Sequence, residues 1–346
     1  MPPAVTIKTV AQAVGVSPST VSNAYNKPGQ LSAALRERIL AVADDLGYAG
    51  PDATARALRS GRAGSIGVLF TDRLSYAFSD PFAVAFLAGV AAEAERTATS
   101  LLLMPVSNPD DEPAAIAVRQ AAIDGAVVFC VEEGHPALGT LRARDIPISS
   151  TDRADDPDAR WVAIDESAAA ASVGAHLARL GHRDIAVLLD TNRPAGSAAQ
   201  PIDRADITCV SCGLRMDGLL SAVPGARIRI ASAGHNAVES GRVAAELLLD
   251  SQDRPTAIAA FSDVLALGAI EAMRARGLTA GRDISVTGFD DVPAAEAAGL
   301  TTVRQPVAEK GRLAARQLLS PGDVDPQILL PTELIVRSST GPAPRR

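Results

Sequence analysis

Short apolar runs recur along the chain from residue 62 onward, and helix-like stretches separate each run from the next. The runs occupy residues 66–70, 101–106, 126–130, 146–149, 162–164, 185–189, 258–261 and 284–287. Strands that are apolar throughout and alternate with helices are typical of a parallel sheet covered by helices on both faces. The sequence therefore predicts that the body of the protein has an α/β fold.

Polar side chains follow most of these runs, at the strand ends where open α/β sheets bind their ligands. They are Thr71, Asp72, Thr151, Asp152, Asp165, Asp190, Ser262, Asp263, Asp290 and Asp291. Carboxylates accept pairs of hydrogen bonds, which suits a polyhydroxylated or amino-bearing small molecule. The alternative is that each aspartate caps the helix after its strand. Both roles remain open at this point.

The first thirty residues have the pattern of two short helices. Apolar residues recur at helical spacing over 7–14, with Thr6 placed as N-cap and Gly15 as the stop. A second helix starts with Ser17 as N-cap and Pro18 at its first position, where the missing N–H costs nothing. We therefore expect two helices joined by a three-residue turn, residues 15–17.

A third helix is predicted from Ser32 to its stop at Gly47. In a helix-turn-helix domain, the second helix enters the DNA major groove and places its N-terminal residues on base edges. The exposed positions of the predicted second helix are short and hydrogen-bonding, or rigid in the case of Pro18, which suits that task. The alternative is a three-helix subdomain that binds no ligand.

Charge is distributed unevenly along the 346 residues, whose net charge is −7. Residues 1–65 contain seven basic and four acidic side chains, so their balance is 7 − 4 = +3. The rest of the chain has 26 basic and 36 acidic side chains, a balance of −10. A basic end on an acidic body is expected when one end meets a polyanion, although chance variation over a short window is an alternative.

The segment TIKTVAQAVGVSPSTVSNAYN, residues 6–26, resembles the DNA-binding headpiece of the LacI/GalR family, and the resemblance continues to LGY at Tyr48. The segment departs from the family at Thr9, where an acidic residue is usual, and at Asn23, where arginine is common. The resemblance implies that Pro18, Ser19 and Asn23 face bases. It places another set near the phosphate backbone: Thr6, Ser17, Thr20, Ser22, Asn26 and Tyr48.

Residues 51–61, PDATARALRSG, form a linker with helix-forming composition between a proline and a glycine. A helix of about eight residues is too short to be stable alone in water. In the LacI/GalR family, the hinge helices of two subunits pair in the minor groove and wedge a leucine between base steps. The resemblance implies this role for Leu58, with Arg56 beside it on the DNA. A solvated linker with one exposed leucine is the alternative.

The body resembles the effector-binding core of the same family over residues 123–129, 179–188, 254–278, 284–292 and 300–306. The resemblance implies two sheet-and-helix lobes joined by three crossovers, as in type I periplasmic binding proteins, with an effector in the cleft. It implies that Asp290 is the main effector-binding acid and that Arg215 is an effector-binding arginine. The further positions it implies are Phe82, beside Asp80 and Pro81, together with Asp165, Asp263 and Asn236.

Catalytic, metal and membrane signals are weak in this sequence. Cys209-x-x-Cys212 is compatible with redox chemistry or half of a zinc site, but a structural zinc needs four ligands, and no second pair stands at suitable spacing. Three cysteines in total are compatible with a reducing cytoplasm. The sequence has neither a signal-peptide pattern nor an apolar run of 18 residues. We expect a cytoplasmic protein without a cofactor, metal, enzymatic activity or membrane contact.

The sequence is interpreted as a small all-α helix-turn-helix headpiece at 1–50, a hinge helix at 51–62 and an α/β, two-lobed, periplasmic-binding-protein-like domain at 63–346. The expected function is that of a transcriptional regulator, most often a repressor in this family. A homodimer would bind a palindromic double-stranded DNA operator under the control of a small polar effector, such as a sugar or a sugar derivative. The alternatives are a transporter's solute-binding protein, which predicts a signal peptide, and an enzyme, which predicts a catalytic constellation.

Overall fold

A computed structural model describes residues 5–50, 61–70, 74–106, 112–190, 198–251 and 253–345. The contacts within the chain divide it into two compact units, with the boundary between Gly64 and Ser65. The positions predicted for a hinge helix, which include Arg56 and Leu58, and the strand-end residues Thr71 and Asp72 lie outside the described residues.

The first unit has the helices predicted from the sequence. They are α1 (Ile7–Val14), α2 (Pro18–Asn26) and α3 (Ala33–Asp45), with a short 3-10 turn at Pro28–Gln30. The predicted N-caps are confirmed: Thr6, Ser17 and Ser32 each accept a hydrogen bond from a backbone N–H three residues on. Gly15 ends α1 at φ +77°, a left-handed conformation that glycine adopts without steric cost.

The core of this unit is built from one face of each helix. Its fully buried members are Val10, Ala11, Val14, Val21, Ala24, Ile39 and Ala43. Two arginines of α3 bind the C-terminal ends of the other helices: Arg36 Nε donates to Ala24 O at 3.1 Å, and Arg38 Nη2 donates to Val14 O at 3.0 Å. These bonds satisfy carbonyl groups that a helix end leaves unpaired, so they fix α3 against α1 and α2.

The N-terminal lobe of the second unit contains a six-stranded sheet in the order β12-β5-β4-β3-β1-β2, and all its pairings are parallel. Its strands are β1 (Ser65–Phe70), β2 (Ser100–Pro105), β3 (Ala126–Phe129), β4 (Ile148–Ser150), β5 (Arg160–Ile164) and β12 (Gln327–Leu330). Its helices are α4 (Tyr76–Ser79), α5 (Pro81–Arg96), α6 (Glu112–Gln120), α7 (Pro136–Ala143) and α13 (Val307–Leu319).

The C-terminal lobe contains a seven-stranded sheet in the order β13-β11-β10-β9-β6-β8-β7. Its strands are β6 (Asp184–Leu189), β7 (Gln200–Ile202), β8 (Arg227–Ser232), β9 (Ala257–Ala260), β10 (Ser285–Asp290), β11 (Thr301–Arg304) and β13 (Glu333–Ile335). Its helices are α8 (Glu166–Arg179), α9 (Val210–Ala222), α10 (Val238–Leu249), α11 (Asp263–Ala275) and α12 (Pro293–Ala297), and a 3-10 turn lies at Arg204–Asp206. The edge strands β7 and β13 are antiparallel to their neighbours.

The chain passes between the lobes three times, after β5, after β11 and after β12. This confirms the two-lobed α/β fold with three crossovers. The crossover after β11 returns the chain to the N-terminal lobe, where α13 packs directly on α5. A Cβ on Gly89 would lie 1.8 Å from Ala308 O, and one on Gly311 would lie 2.1 Å from Phe86 O, so only glycine permits this approach.

Several strands were not predicted from apolar runs. In β8, RIRIAS alternates basic and apolar side chains, because its outer face is partly exposed near the edge of the sheet. The strands β7, β12 and β13 lie at sheet edges, where one flank needs no apolar neighbour. The run predicted at 146–149 corresponds to β4 at Ile148–Ser150, because a proline at 147 precedes the strand.

Candidate functional site

The N-terminal end of α2 presents exposed hydroxyl groups next to a rigid proline. Ser17, Pro18 and Ser19 are exposed. Ser17 Oγ accepts a hydrogen bond from Thr20 N at 3.1 Å, and it lies 2.7 Å from Ser19 Oγ and 2.8 Å from Thr20 Oγ1. This end of the helix therefore combines an N-terminal dipole with short donors and acceptors, a surface suited to phosphate and base contacts.

The remaining headpiece residues of interest lie along α2 and at the helix ends. Asn23 is half-buried, and Asn26 is exposed and donates to Ser22 O at 3.0 Å. Thr6 is exposed at the start of α1. The half-buried ring of Tyr48 meets that of Tyr25 edge-on, with centroids 6.1 Å apart. The structure thus places polar side chains along α2, the helix that would enter a DNA groove.

A cavity of about 110 Å³ lies between the two lobes of the second unit. Both lobes contribute to its wall, and strand ends and helix N-termini supply most of the polar groups. The lining residues are Tyr76, Phe82, Phe129, Cys130, Glu166, Asp190, Cys209, Ser211, Cys212, Arg215, Asn236, Phe261, Ser262, Leu265, Asp290 and Lys310. Four of the predicted effector residues, Phe82, Arg215, Asn236 and Asp290, are therefore brought together.

Arg215 projects from α9 and is held on two sides. Its Nε donates to Glu166 Oε2 at 2.6 Å, and its Nη1 donates to Phe261 O at 2.5 Å. The guanidinium carbon lies 3.7 Å from the centre of the Phe289 ring, a close cation–π contact. Because these contacts fix the plane of the guanidinium, the side chain is preorganised at the cavity wall.

Asp290 ends β10 with a left-handed backbone, φ +122°, which is rare outside glycine. Gln305 Nε2 donates to its Oδ1 at 2.8 Å. Burial raises the pKa of Asp290 well above its usual value, and the neighbouring charge of Asp263 raises it further. Carboxyl oxygens accept hydrogen bonds from hydroxyl groups, which suits recognition of a hydroxylated ligand.

Asn236 joins the two lobes next to the cavity. Its Nδ2 donates to Asp80 Oδ2 at 2.7 Å and to the Tyr76 hydroxyl at 3.2 Å, both in the N-terminal lobe. Its Oδ1 accepts from Ser262 Oγ at 2.5 Å in the C-terminal lobe. The adjacent His235 ring lies 6.0 Å from the ring of Tyr76. The amide therefore has partners in both lobes, and its bonds depend on how closely the lobes approach.

Lys310 lines the cavity from the first turns of α13 and was missed in the sequence analysis. The residue is only 5% exposed, and among the described residues its ammonium makes neither an ion pair nor a side-chain hydrogen bond. Burial raises the pKa of Asp152 and that of Cys130, and the positive charge of Lys310 opposes this rise at both residues. One sequence signal was available: arginine supplies every other basic side chain after Lys27.

Asp165 and Asp263 do not line this cavity. Asp165 is the N-cap of α8 and accepts from Ala168 N at 2.9 Å. Asp263 is fully buried and accepts from Thr302 Oγ1 at 2.6 Å and from Val292 N at 2.8 Å. These bonds join α11 to the loop after β10 and to β11. The capping alternative considered for strand-end aspartates therefore describes Asp165, whereas Asp263 follows the N-cap Ser262 and its carboxylate bonds to other elements.

Several other lining residues were not predicted from the sequence. Three of them, Cys130, Glu166 and Phe261, end an apolar run or follow one within two residues. The expectation that ligands bind at the carboxyl ends of strands, which pointed to Asp290, therefore also covers these positions. Tyr76 and Ser211 carried no such signal. Among the described residues, no group of histidine, cysteine and carboxylate side chains is arranged to hold a metal ion, and no helix is long and apolar enough to cross a membrane.

Comparisons with known proteins match both units. Residues 6–50 match the family model described as "Bacterial regulatory proteins, lacI family", and residues 175–340 match a "Periplasmic binding protein-like domain". An HTH-type transcriptional regulator of Mycolicibacterium smegmatis is 37% identical over 353 residues, which cover 97% of this chain and 96% of that protein.

Two solved structures match almost the whole chain. The lac repressor dimer bound to operator and the anti-inducer ONPF has a TM-score of 0.77 at 26% identity, covering 97% of this chain and 99% of the other. The complex of the transcriptional regulator CelR with cellobiose has a TM-score of 0.66 at 25% identity, covering 97% and 100%.

Proposed function

The chain belongs to the LacI family of DNA-binding transcriptional regulators, and from that premise we propose that it is a repressor. In this proposal, a homodimer binds a near-palindromic operator through its headpieces. A small hydroxylated effector, a sugar or sugar derivative, binds in the cavity between the lobes and controls the affinity for the operator.

One observation carries the effector proposal: Asn236 shares its hydrogen bonds between Asp80 in one lobe and Ser262 in the other. A ligand bearing hydroxyl groups can replace or extend these bonds, so its binding is coupled to the distance between the lobes. Arg215 and Asp290 supply a fixed donor and a carboxyl group at the same cavity. A cellobiose complex among the structural relatives supports the sugar class.

The dimer proposal is supported by apolar surface on the N-terminal lobe. Phe78 on α4 is 65% exposed, and Val84 on the adjoining helix α5 is 45% exposed. Burying large exposed apolar side chains against a second copy of the chain removes them from water, which favours association. The structural relative bound to operator is a dimer, and two-fold symmetry in a protein requires two half-sites in its DNA.

The proposed control is reciprocal. If the effector favours one arrangement of the lobes and the operator favours another, each ligand lowers the affinity for the other by the same factor. Residues 51–62, the proposed hinge helix, would be the element that the lobes order or release. The control therefore needs no contact between effector and DNA.

The test starts with selection of genomic fragments by the full-length protein, followed by footprinting of the selected DNA. We expect two inverted half-sites, with an affinity that falls steeply as salt increases, because phosphate contacts release counterions. Mono- and disaccharides are then added to the complex, and release by one of them identifies an effector. Binding without sequence preference would contradict the regulator proposal.

The dimer is tested separately by analytical ultracentrifugation. Phe78→Asp places a charge on the proposed interface, so it is expected to shift the protein toward monomer and to weaken operator binding. Val336→Asp is the matched control, because Val336 is 56% exposed and lies outside α4 and α5. An unchanged mass for Phe78→Asp would exclude this surface as the interface.

A further inference from the structure

All three cysteines of the chain line the cavity between the lobes. Cys130 follows β3 in the N-terminal lobe and has a left-handed backbone, φ +51°. Cys209 is the N-cap of α9, and Cys212 is the third residue of that helix. The thiols are free in this structure. Two of the three, Cys209 and Cys212, share the first turn of one helix, whereas Cys130 comes from the other lobe.

Cys209 and Cys212 are in direct contact. The backbone N–H of Cys212 donates to Cys209 Sγ at 3.4 Å. Side chains at the N-cap and at the third helical position approach each other, as they do in a capping box. A disulfide brings two sulfurs to about 2.0 Å, and Cys-x-x-Cys is the spacing at which disulfide oxidoreductases form one.

The two thiols differ in environment, as a nucleophile and its partner must. Cys209 is half-exposed, and its sulfur accepts an amide hydrogen bond at the positive end of the α9 dipole. Cys212 is buried, and its hydrogen bond to Cys209, followed by burial, raises its pKa well above the usual value. Cys209 is therefore the thiol that a reagent entering the cavity can reach, and Cys212 is its buried partner.

We propose that Cys209 and Cys212 are a reversible oxidation site in the effector cavity, where a hydroperoxide converts the two thiols into an intramolecular disulfide. The thiolate of Cys209 attacks one peroxide oxygen, the O–O bond breaks, and the departing oxygen leaves as water after taking up a proton. Cys212 sulfur then displaces the oxygen from Cys209 sulfur, and a second water leaves. Two thiols and one hydrogen peroxide thus give one disulfide and two waters, and a dithiol reverses the change by exchange.

The site lies where oxidation would alter contact between the lobes. The Cys212 thiol donates to Asp190 O at 3.8 Å, and a disulfide removes that donor. Ser211, between the two cysteines, donates to Asp152 Oδ1 of the N-terminal lobe at 2.9 Å. Closing the disulfide moves the two side chains on either side of Ser211, so the inter-lobe bond is expected to change. The consequence for regulation rests on the proposed function, whereas the chemistry of the thiols does not.

The chemical test uses the reduced full-length protein, treated with hydrogen peroxide and then digested with trypsin. Cleavage after Arg204 and Arg215 places both cysteines on one peptide, ADITCVSCGLR, separate from Cys130. We expect this peptide to lose two hydrogen atoms, to resist alkylation, and to recover both thiols in dithiothreitol. Cys130→Ser is expected to behave like the wild type, whereas Cys209→Ser and Cys212→Ser lose the response. Circular dichroism checks that each variant is folded.

Three results would overturn the proposal: full alkylation of both cysteines after peroxide, a bond between the Cys130 and Cys209 peptides, or conversion of Cys209 to a sulfonic acid. None of these readouts requires DNA or an effector, so a failure of the regulator proposal leaves them interpretable. Operator affinity is then compared between reduced and oxidised protein. A changed affinity supports the regulatory consequence, and an unchanged affinity with the disulfide formed would exclude it.

Discussion

Asn236 Nδ2 lies 2.7 Å from Asp80 Oδ2, and this hydrogen bond connects the C-terminal lobe to the N-terminal lobe beside the cavity. Asp80 is only 4% exposed, and it also caps α5 by accepting from Phe82 N at 2.7 Å. The same carboxylate therefore starts a helix in one lobe and holds the other lobe in place. Burial raises the pKa of Asp80, and the hydrogen bonds it accepts oppose that rise.

Asn236→Ala is expected to open the cleft, because it removes the bonds to Asp80 and Tyr76 and leaves a buried carboxylate without one of its donors. The free energy that favours the closed cleft should fall by about 1–3 kcal/mol, the usual cost of leaving a buried polar group without its hydrogen bond. Small-angle scattering should report a larger radius of gyration. Ser262→Ala is the control, since the bond to Asn236 and the helix cap that it removes both lie within the C-terminal lobe. Equal radii for both variants would contradict an inter-lobe role.

Asp290→Ala is expected to abolish the effector response and to leave operator binding intact, because Asp290 lines the cavity. Asp165→Ala is the matched control: it removes a helix cap at a cost of about 1 kcal/mol without touching the cavity. Thermal-shift and operator-release assays with the identified effector compare the two variants. A normal response in Asp290→Ala would remove Asp290 from the effector site.

Lys310→Met is expected to lower effector affinity by roughly 10- to 100-fold, as when a charged hydrogen-bond donor to a ligand is lost. Folding should tolerate the change, because the ammonium is buried at 5% exposure without an ion pair among the described residues. Isothermal titration with the identified effector measures the loss. Arg312→Met, two residues along the same helix, removes an ion pair to Glu309 outside the cavity and should leave affinity unchanged. The idea fails if both variants bind alike.

Leu58→Ala is expected to weaken operator binding and reduce DNA bending while effector binding stays normal, because a smaller side chain cannot wedge between base steps. Gel-shift titration measures the affinity, and circularly permuted probes measure the bend. Leu46→Ala, a change at an exposed leucine among the described residues of the first unit, is the control. Unchanged affinity in Leu58→Ala would exclude the hinge prediction for residues 51–62.

Asp263→Asn is expected to flatten the pH dependence of stability. Burial raises the pKa of Asp263 from 3.8 to about 6, so between these values the folded state holds a proton that the unfolded state releases. Unfolding free energy therefore falls as pH rises through this window, by up to about 3 kcal/mol. Thermal unfolding across that range should show a smaller decline in Asp263→Asn. Asp145→Asn, a change at an exposed aspartate, is the control and should keep the wild-type decline of stability with pH. If stability declines as steeply in Asp263→Asn as in the wild type, Asp263 is not the group responsible.

The predictions from sequence were most successful where structure depends on near neighbours. Thr6, Ser17 and Ser32 cap their helices as expected, because an N-cap needs only a side-chain oxygen and the next three residues. The central strands were recognised because a strand buried on both faces is apolar throughout. Strand β8, next to the edge strand β7, was missed, since its alternation of basic and apolar residues carries no such signature.

The helix-turn-helix pattern, the α/β body and the family can be recognised from the amino-acid sequence, because caps, periodicity and motifs are encoded within short segments. Which strand-end groups meet depends on contacts between distant segments. Asp263 and Asp290 both stand at the carboxyl end of a strand. Asp263 is hydrogen-bonded to Thr302 and Val292 away from the cavity, whereas Asp290 lines it. Lys310 and the three cysteines meet there because the chain crosses between the lobes three times, and contacts between such distant segments leave no local pattern.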